Sequence, residues 1–416
     1  MWLTVLVEGA TAATLVVPIL AAGLWLVPLL VREPVPLRWH FLIGGALGAG
    51  LTSLLVLATG LAGVLNRAVW VALLGGFALL GTARLWVPLR RGSSGEGHHR
   101  VGAPIAGGST GEPGAGRWHW LWLVVCPFVV LALLAAANAP GFIWREEGFA
   151  YDVLEYHLQL PKEYVQAGRI AYLPHNVYAN FPANVEMLYL LAMIVWNDTL
   201  DIGVVANMIH LMLAVMTVYA AWVIGRDWSP RAGIVCGVAA GTTGWLVYLS
   251  GLAYVENGLL FFGLTATGCM LRAIRAEGGS DRPGPDSRAW LLLSGVMAGL
   301  ACGCKYTAVA MIALPLGVIA LCRARDSWRQ RLSAGAMFAA GCTAAFSPWL
   351  IKNVVMTGNP VFPLANSVFR AAPPGWGHDE TKSWQKGHAI KLSNANGGED
   401  RSATAVRVTA LWTHLL

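Results

Sequence analysis

Between Arg145 and Tyr189 the chain reads REEGFAYDVLEYHLQLPKEYVQAGRIAYLPHNVYANFPANVEMLY, a stretch dense in acids, tyrosines, histidines and asparagines. Asp152, Glu155, Tyr156, His157 and Glu163 can each take up or release a proton, which is the raw material of general acid–base catalysis. Asp152, Glu155, Tyr156, Gln159 and Glu163 recur at three- and four-residue spacing and so share one helix face. Asp152 and Glu155 also have the spacing of a helix N-cap and its capping partner. The plain reading is that Asp152 caps a helix, and a cap can also serve as a base. Val153, Leu154, Leu158 and Val165 would give that helix an apolar stripe, suited to lying on a membrane surface. Pro161 should kink it or open a second short helix.

The second half of the stretch combines Pro174 and Pro182 with Asn176, Asn180 and Asn184, directly before an apolar run that contains Glu186. Ordinary loop chemistry explains the prolines. It does not explain Glu186, and polar turns at membrane depth are tolerated where they line a cavity. Three more charges stand where charge is expensive: Glu256 in AYVENGLLFF, Lys305 in CGCKYTA and Lys352 in PWLIKN. Such residues usually face protein or water and mark a ligand path. Snorkelling to the interface is the alternative, most natural for Lys352 and least for Glu256.

The elements that position these residues must be membrane helices. Of 416 residues, 56% are hydrophobic and 12% charged, about half the ~25% charge of a soluble domain. About 20 apolar residues are needed to cross a ~30 Å hydrocarbon core. Windows that qualify lie near 3–30, 41–65, 68–88, 118–138, 202–224, 232–250, 252–272, 289–303 with 306–322, and 333–351, with a further apolar run, ALWTHLL, at the end. Basic residues concentrate in 90–117, at Arg226/Arg231, in 272–288 and in 323–331, which places those loops on the cytoplasmic side. The opposite face then receives 139–184, the Tyr254/Glu256 turn, the Lys305/Tyr306 turn and 352–405. With that arrangement 185–197 is expected to lie in the interface or re-enter. The charges at 256, 305 and 352 could then converge on one cavity with the acid-rich stretch.

Residues 92–117 are rich in Gly, Ser and Pro and read as a flexible cytoplasmic linker. They separate a three-span block, 1–91, from the remainder, 118–416. His98 and His99 within the linker lack acid or thiol partners and read as solvated. The net charge of +7 is accounted for by membrane topology, and no basic patch interleaved with aromatics points to nucleic acid. Seven cysteines, at 126, 236, 269, 302, 304, 322 and 342, fit neither a disulfide framework nor a zinc or redox spacing. Of the 19 tryptophans, Trp39, Trp86, Trp118, Trp144 and Trp349 fall near span ends, as interface anchors do. Glu8 and the absence of basic residues before the first apolar run favour a retained first span over a cleaved signal.

From about Trp118 to Pro363 the chain resembles the C-type glycosyltransferases, specifically their bacterial aminoarabinose-transferase and protein-mannosyltransferase-like branch. The resemblance rests on Asp152 with Tyr156 four residues later, Gly168 with Pro174, and Phe181-Pro182. It continues in Tyr254-Val255-Glu256, in Lys305-Tyr306-Thr307 after a Gly-rich span, and in the tract Pro348-Trp349, Lys352-Asn353, Gly358-Asn359-Pro360 and Pro363. Where the family commonly has a second acid after its Asp, this chain has Val153, with Glu155 and the pair Glu146/Glu147 nearby. The three spans before Trp118 are additional to the simplest family plan. The chain ends at Leu416 without the later spans of many members, and reads as a truncated version of the plan.

The resemblance implies an all-α polytopic membrane protein: a C-type glycosyltransferase-like transmembrane helical bundle whose first outer loop carries short amphipathic helices. It implies transfer of a sugar from a polyprenyl-phosphate donor to a lipid, glycan or protein acceptor, in the cell's inner (plasma) membrane with the site facing the periplasm or exterior. Asp152 would be the catalytic base. Lys305 and Lys352 would neutralise the departing phosphate, and Tyr156, His157, Glu186, Glu256 and Tyr306 would bind substrate or position the base. A divalent metal requirement stays open, and no cofactor is assigned. The rival readings are a polytopic transporter or lipid flippase, since broken helices and buried polar residues also describe transport paths, and an inactive relative of the enzymes.

Overall fold

In a computed structural model, residues 2–31, 35–93, 115–139, 151–277, 285–322 and 327–387 are described. Among them the chain is helical and has no strand. It begins with α1 (Trp2–Gly23), the short α2 (Val27–Leu30), α3 (Leu37–Leu61) and α4 (Arg67–Ser93). A 3₁₀ segment, Ala115–Val125, leads into α5 (Cys126–Ala136). After a wide turn at Val153–His157 come α6 (Gln159–Ala167), the buried α7 (Asn184–Trp196) and α8 (Gly203–Arg226). Then follow α9 (Pro230–Gly241), α10 (Gly244–Ser250), α11 (Glu256–Glu277), α12 (Pro285–Cys302), α13 (Leu314–Cys322), α14 (Trp328–Thr357), the short α15 (Asn366–Phe369) and α16 (His378–Gly387). Six described helices are long and apolar enough to cross a membrane, or seven if α9 and α10, bent by 56°, form one broken span. This is a multi-pass membrane protein.

Local signals set the boundaries. Ser229 and Ser327 cap α9 and α14 by accepting backbone N–H bonds from Ala232 and Gln330, and Pro230 occupies the first helical position of α9. α14 ends on Gly358 at φ 79°, a left-handed conformation that glycine adopts without penalty. Glycines also set how closely helices approach. A Cβ on Gly295 or Gly299 of α12 would strike the backbone of Phe338 or Cys342 on α14, and one on Gly341 would strike Leu292. Such small residues substitute for bulky packing inside membranes, where apolar side chains gain little from leaving lipid.

The helix ends sort into two poles. At one, Asp227 after α8 accepts hydrogen bonds from Arg38 and Trp39 at the start of α3 and from Arg272 near the end of α11. Trp39 in turn packs edge-on against Trp290 of α12. At the other, Gly60 near the end of α3 accepts from Ile170, Asn207 at the start of α8 bonds the carbonyls of Ala136 and Asn138, and the start of α11 meets the end of α12.

α7 belongs wholly to this second pole. Its first residue donates its backbone N–H to the Gly303 carbonyl beyond α12, and near its last the Val195 carbonyl accepts from Arg67 at the start of α4. Thirteen residues span about 20 Å, too short to cross. Every residue from Asn184 to Ile194 is buried, so α7 is a short floor helix enclosed by protein.

Two expectations fail here. Trp39 and Trp349 do not anchor at the membrane interface: both are fully buried and spend their indole N–H on Asp227 and Asn184. Only Trp118 is exposed as expected. Trp86, Trp144, Glu146, Glu147, His98, His99 and the terminal apolar run lie outside the described side chains.

Candidate functional site

The acid-rich stretch folds back over the second pole. Asp152 is already in helical conformation and makes no capping bond, because the chain is helical from Tyr151. The turn that follows is widened: the Leu158 N–H reaches the Val153 carbonyl, five residues back. This shift moves Val153 and His157 onto the buried side and leaves Leu154 57% exposed. Of the expected stripe, Val153 is buried and Leu158 and Val165 pack partly buried against the core, while Leu154 gives way to His157, Leu160 and Tyr164. Pro161 sits in the first turn of α6, so a second helix opens there, ending on Gly168 at φ 66°.

On the other face, the Tyr156 hydroxyl donates to Asp152 Oδ2 at 3.2 Å, and its ring stacks on Tyr178 with centroids 4.7 Å apart. Burial raises the Tyr156 phenol above the ordinary tyrosine range, and the nearby carboxylates of Asp152, Glu186 and Glu256 push it further. Gln159 donates to Glu163, which also pairs with His175 at 3.0 Å.

His157 and Glu186 are both almost completely buried and meet at 2.8 Å, Nδ1 to Oε1. The Tyr254 ring stands edge-on to the imidazole at 5.1 Å. Glu186 Oε2 is buried without a hydrogen-bond partner. Lys305 Nζ meets Glu256 Oε1 at 2.6 Å. Burial pulls the lysine pKa down, but the charge of Glu256 and its hydrogen bond outweigh this and raise it.

These groups surround a cavity of about 200 Å³ whose walls include Tyr156, His157, Glu186, Lys305, Tyr306 and Phe181. Asp152 is not a wall residue; it reaches the cavity through Tyr156. Glu256 stands behind Lys305. Tyr306 accepts from Asn353 Nδ2 at 3.0 Å, and the same amide braces the carbonyl of Asn180 at 2.7 Å. Lys352 does not snorkel: it is 2% exposed, with Nζ donating to the Ala179 carbonyl at 2.6 Å. It also lies outside the cavity wall. Among the described residues no three His, Cys, Asp or Glu side chains converge closely enough to hold a metal ion.

Two contributions were not visible as function in the sequence. Tyr178 and Phe181 supply aromatic walls from a segment whose polar turns were expected to line a cavity but whose aromatic rings were given no binding role. Asn184 does structural work, accepting from Trp349 and donating to the Leu300 carbonyl, so that α7, α12 and α14 are tied beneath the cavity.

No family model, no curated protein and no solved structure matches this chain.

Proposed function

We propose that this protein is an integral membrane glycosyltransferase that moves a sugar from a polyprenyl-phosphate carrier to a lipid, glycan or protein acceptor. The observation that carries the reading is the convergence, at one end of a membrane bundle, of Asp152–Tyr156, His157–Glu186 and Glu256–Lys305 around a single cavity. These come from four separate stretches of sequence, three of which also carry the family resemblance. The basic pole at Arg38, Arg272 and Arg275 lies at the opposite end, and the positive-inside rule assigns that end to the cytoplasm. The cavity then opens to the exterior of the inner (plasma) membrane.

In this reading Asp152 takes the proton of the acceptor hydroxyl or amine as it attacks the anomeric carbon and the lipid phosphate leaves. Tyr156 orients that carboxylate. His157 and Glu186 offer hydrogen bonds to the sugar, and the aromatic walls pack against its apolar face. Lys305 and Lys352 supply positive charge toward the phosphate.

Transfer from a polyprenyl-phosphate sugar by protein reconstituted in lipid tests the reading. Asp152→Asn should lower the rate by about 10²–10⁴-fold, the usual worth of a positioned base, and a near-normal rate would remove Asp152 from the role. A transporter would use the bent pair α9–α10. The cavity of about 480 Å³ beside it is lined by apolar residues, Cys126 and Ser250, without an acidic or basic side chain. That lining suits a lipid tail better than a polar cargo.

A further inference from the structure

A third hollow, of about 600 Å³, lies on the flank of the bundle, between α3 and α14, and is closed at the site end by residues 169–172. Leu57 and Leu61 from α3 and Ile351 and Val355 from α14 make its sides, and Val355 is 79% exposed, so the groove opens outward between two candidate spans. Two cations stand in this otherwise apolar groove, Arg169 and Lys352. No carboxylate lies within ion-pair distance of either among the described residues. Arg169 makes no hydrogen bond there, and Lys352 uses one of its three N–H donors, on the Ala179 carbonyl.

A buried ammonium is normally compensated by an anion, because its lost hydration must be replaced. Within the protein Lys352 Nζ has a neutral carbonyl and the face of the Trp349 ring at 5.4 Å, but no carboxylate at ion-pair distance. A guanidinium fork and an ammonium at one end of an apolar trough match a phosphate with attached hydrocarbon: the oxygens satisfy the free donors and the chain fills the groove. We infer that the α3–α14 groove binds the phosphate headgroup of a membrane lipid through Arg169 and Lys352, with the acyl or prenyl chain lying along α3. The inference extends the transfer reading by assigning α3, one of the three additional N-terminal helices, a wall of the lipid site. It is measured without turnover, so it stands or falls separately from transfer.

Protein in phosphatidylcholine nanodiscs, titrated with dioleoyl phosphatidic acid and read by native mass spectrometry, tests it. Arg169→Gln, at an exposed position where folding is not at stake, should weaken phosphatidic acid binding about tenfold, the worth of one charge-assisted bond. Lys352→Met should do the same or more. Ala58→Trp should block binding by filling the groove from α3 without touching either cation. Inorganic phosphate should displace the lipid only weakly, since it cannot fill the trough. Unchanged affinity in both Arg169→Gln and Ala58→Trp would overturn the inference, as would displacement by inorganic phosphate at concentrations equal to the lipid's own.

Discussion

Tyr156 keeps its proton because burial and three carboxylates oppose its ionisation, so it remains a donor to Asp152 across the pH range of cells. Tyr156→Phe removes that bond and should slow sugar transfer about 10- to 100-fold, in line with ~1.5–3 kcal/mol for one hydrogen bond to a charged group. A loss as large as that of Asp152→Asn would mean Tyr156 does more than orient. The Lys305–Glu256 pair behaves differently. Its lysine pKa is raised above the ordinary value, so while the carboxylate stays ionised the pair's contribution to stability is fully present up to about pH 10, and it is lost as pH rises through the higher folded value. Lys305→Met should therefore lower stability by a constant ~1 kcal/mol between about pH 6 and 9, small because the lysine side chain is 44% exposed and water screens the pair. Thermal melts in detergent across that range check it, and a difference that grew toward low pH would contradict the assignment. The types of these residues were legible in the sequence. Their pairings were not: nothing local says that His157 meets Glu186, 29 positions away, and the widened turn that buries His157 reversed the expected face at Leu154.

At the scale of elements, hydrophobic runs of 20 or more residues located the long helices to within a few residues, because a membrane demands both length and apolar content. The same logic marked 185–197 only as a short apolar run in the interface or re-entering, and α7 has 13 residues, of which the 11 from Asn184 to Ile194 are buried. It also misjudged Lys352 and Trp349. A residue near a span end reads as interfacial unless the neighbouring loop folds over it, and here the Ala179–Asn184 segment does so. Close contact between α12 and α14 depends on Gly295, Gly299 and Gly341. Gly295→Val should force these helices apart and destabilise the protein by ~1–3 kcal/mol, as overpacking does, while the same change at Gly75, where a side chain would meet nothing within 4 Å, should be nearly neutral. Melting temperatures of the two variants in detergent decide it.

For the whole molecule, the two poles make a statement about sidedness. A cysteine placed at Glu155 beside the cavity should react with a membrane-impermeant maleimide in intact cells, whereas one at Ala276 near the Asp227 cluster should react only after permeabilisation. Peptide mass spectrometry separates these from the seven native cysteines, and the reverse pattern would invert the topology. The buried α7 also has a consequence for how the protein is made. Its first turn is held by Gly303 and Trp349, both synthesised more than a hundred residues later. A ribosome that has just released α7 leaves it without those partners, too short to stay across the bilayer and too apolar to rest in water. The floor of the site is thus the last part of this region to be enclosed, and a nascent chain halted before α14 emerges would hold the cavity's residues without the cavity.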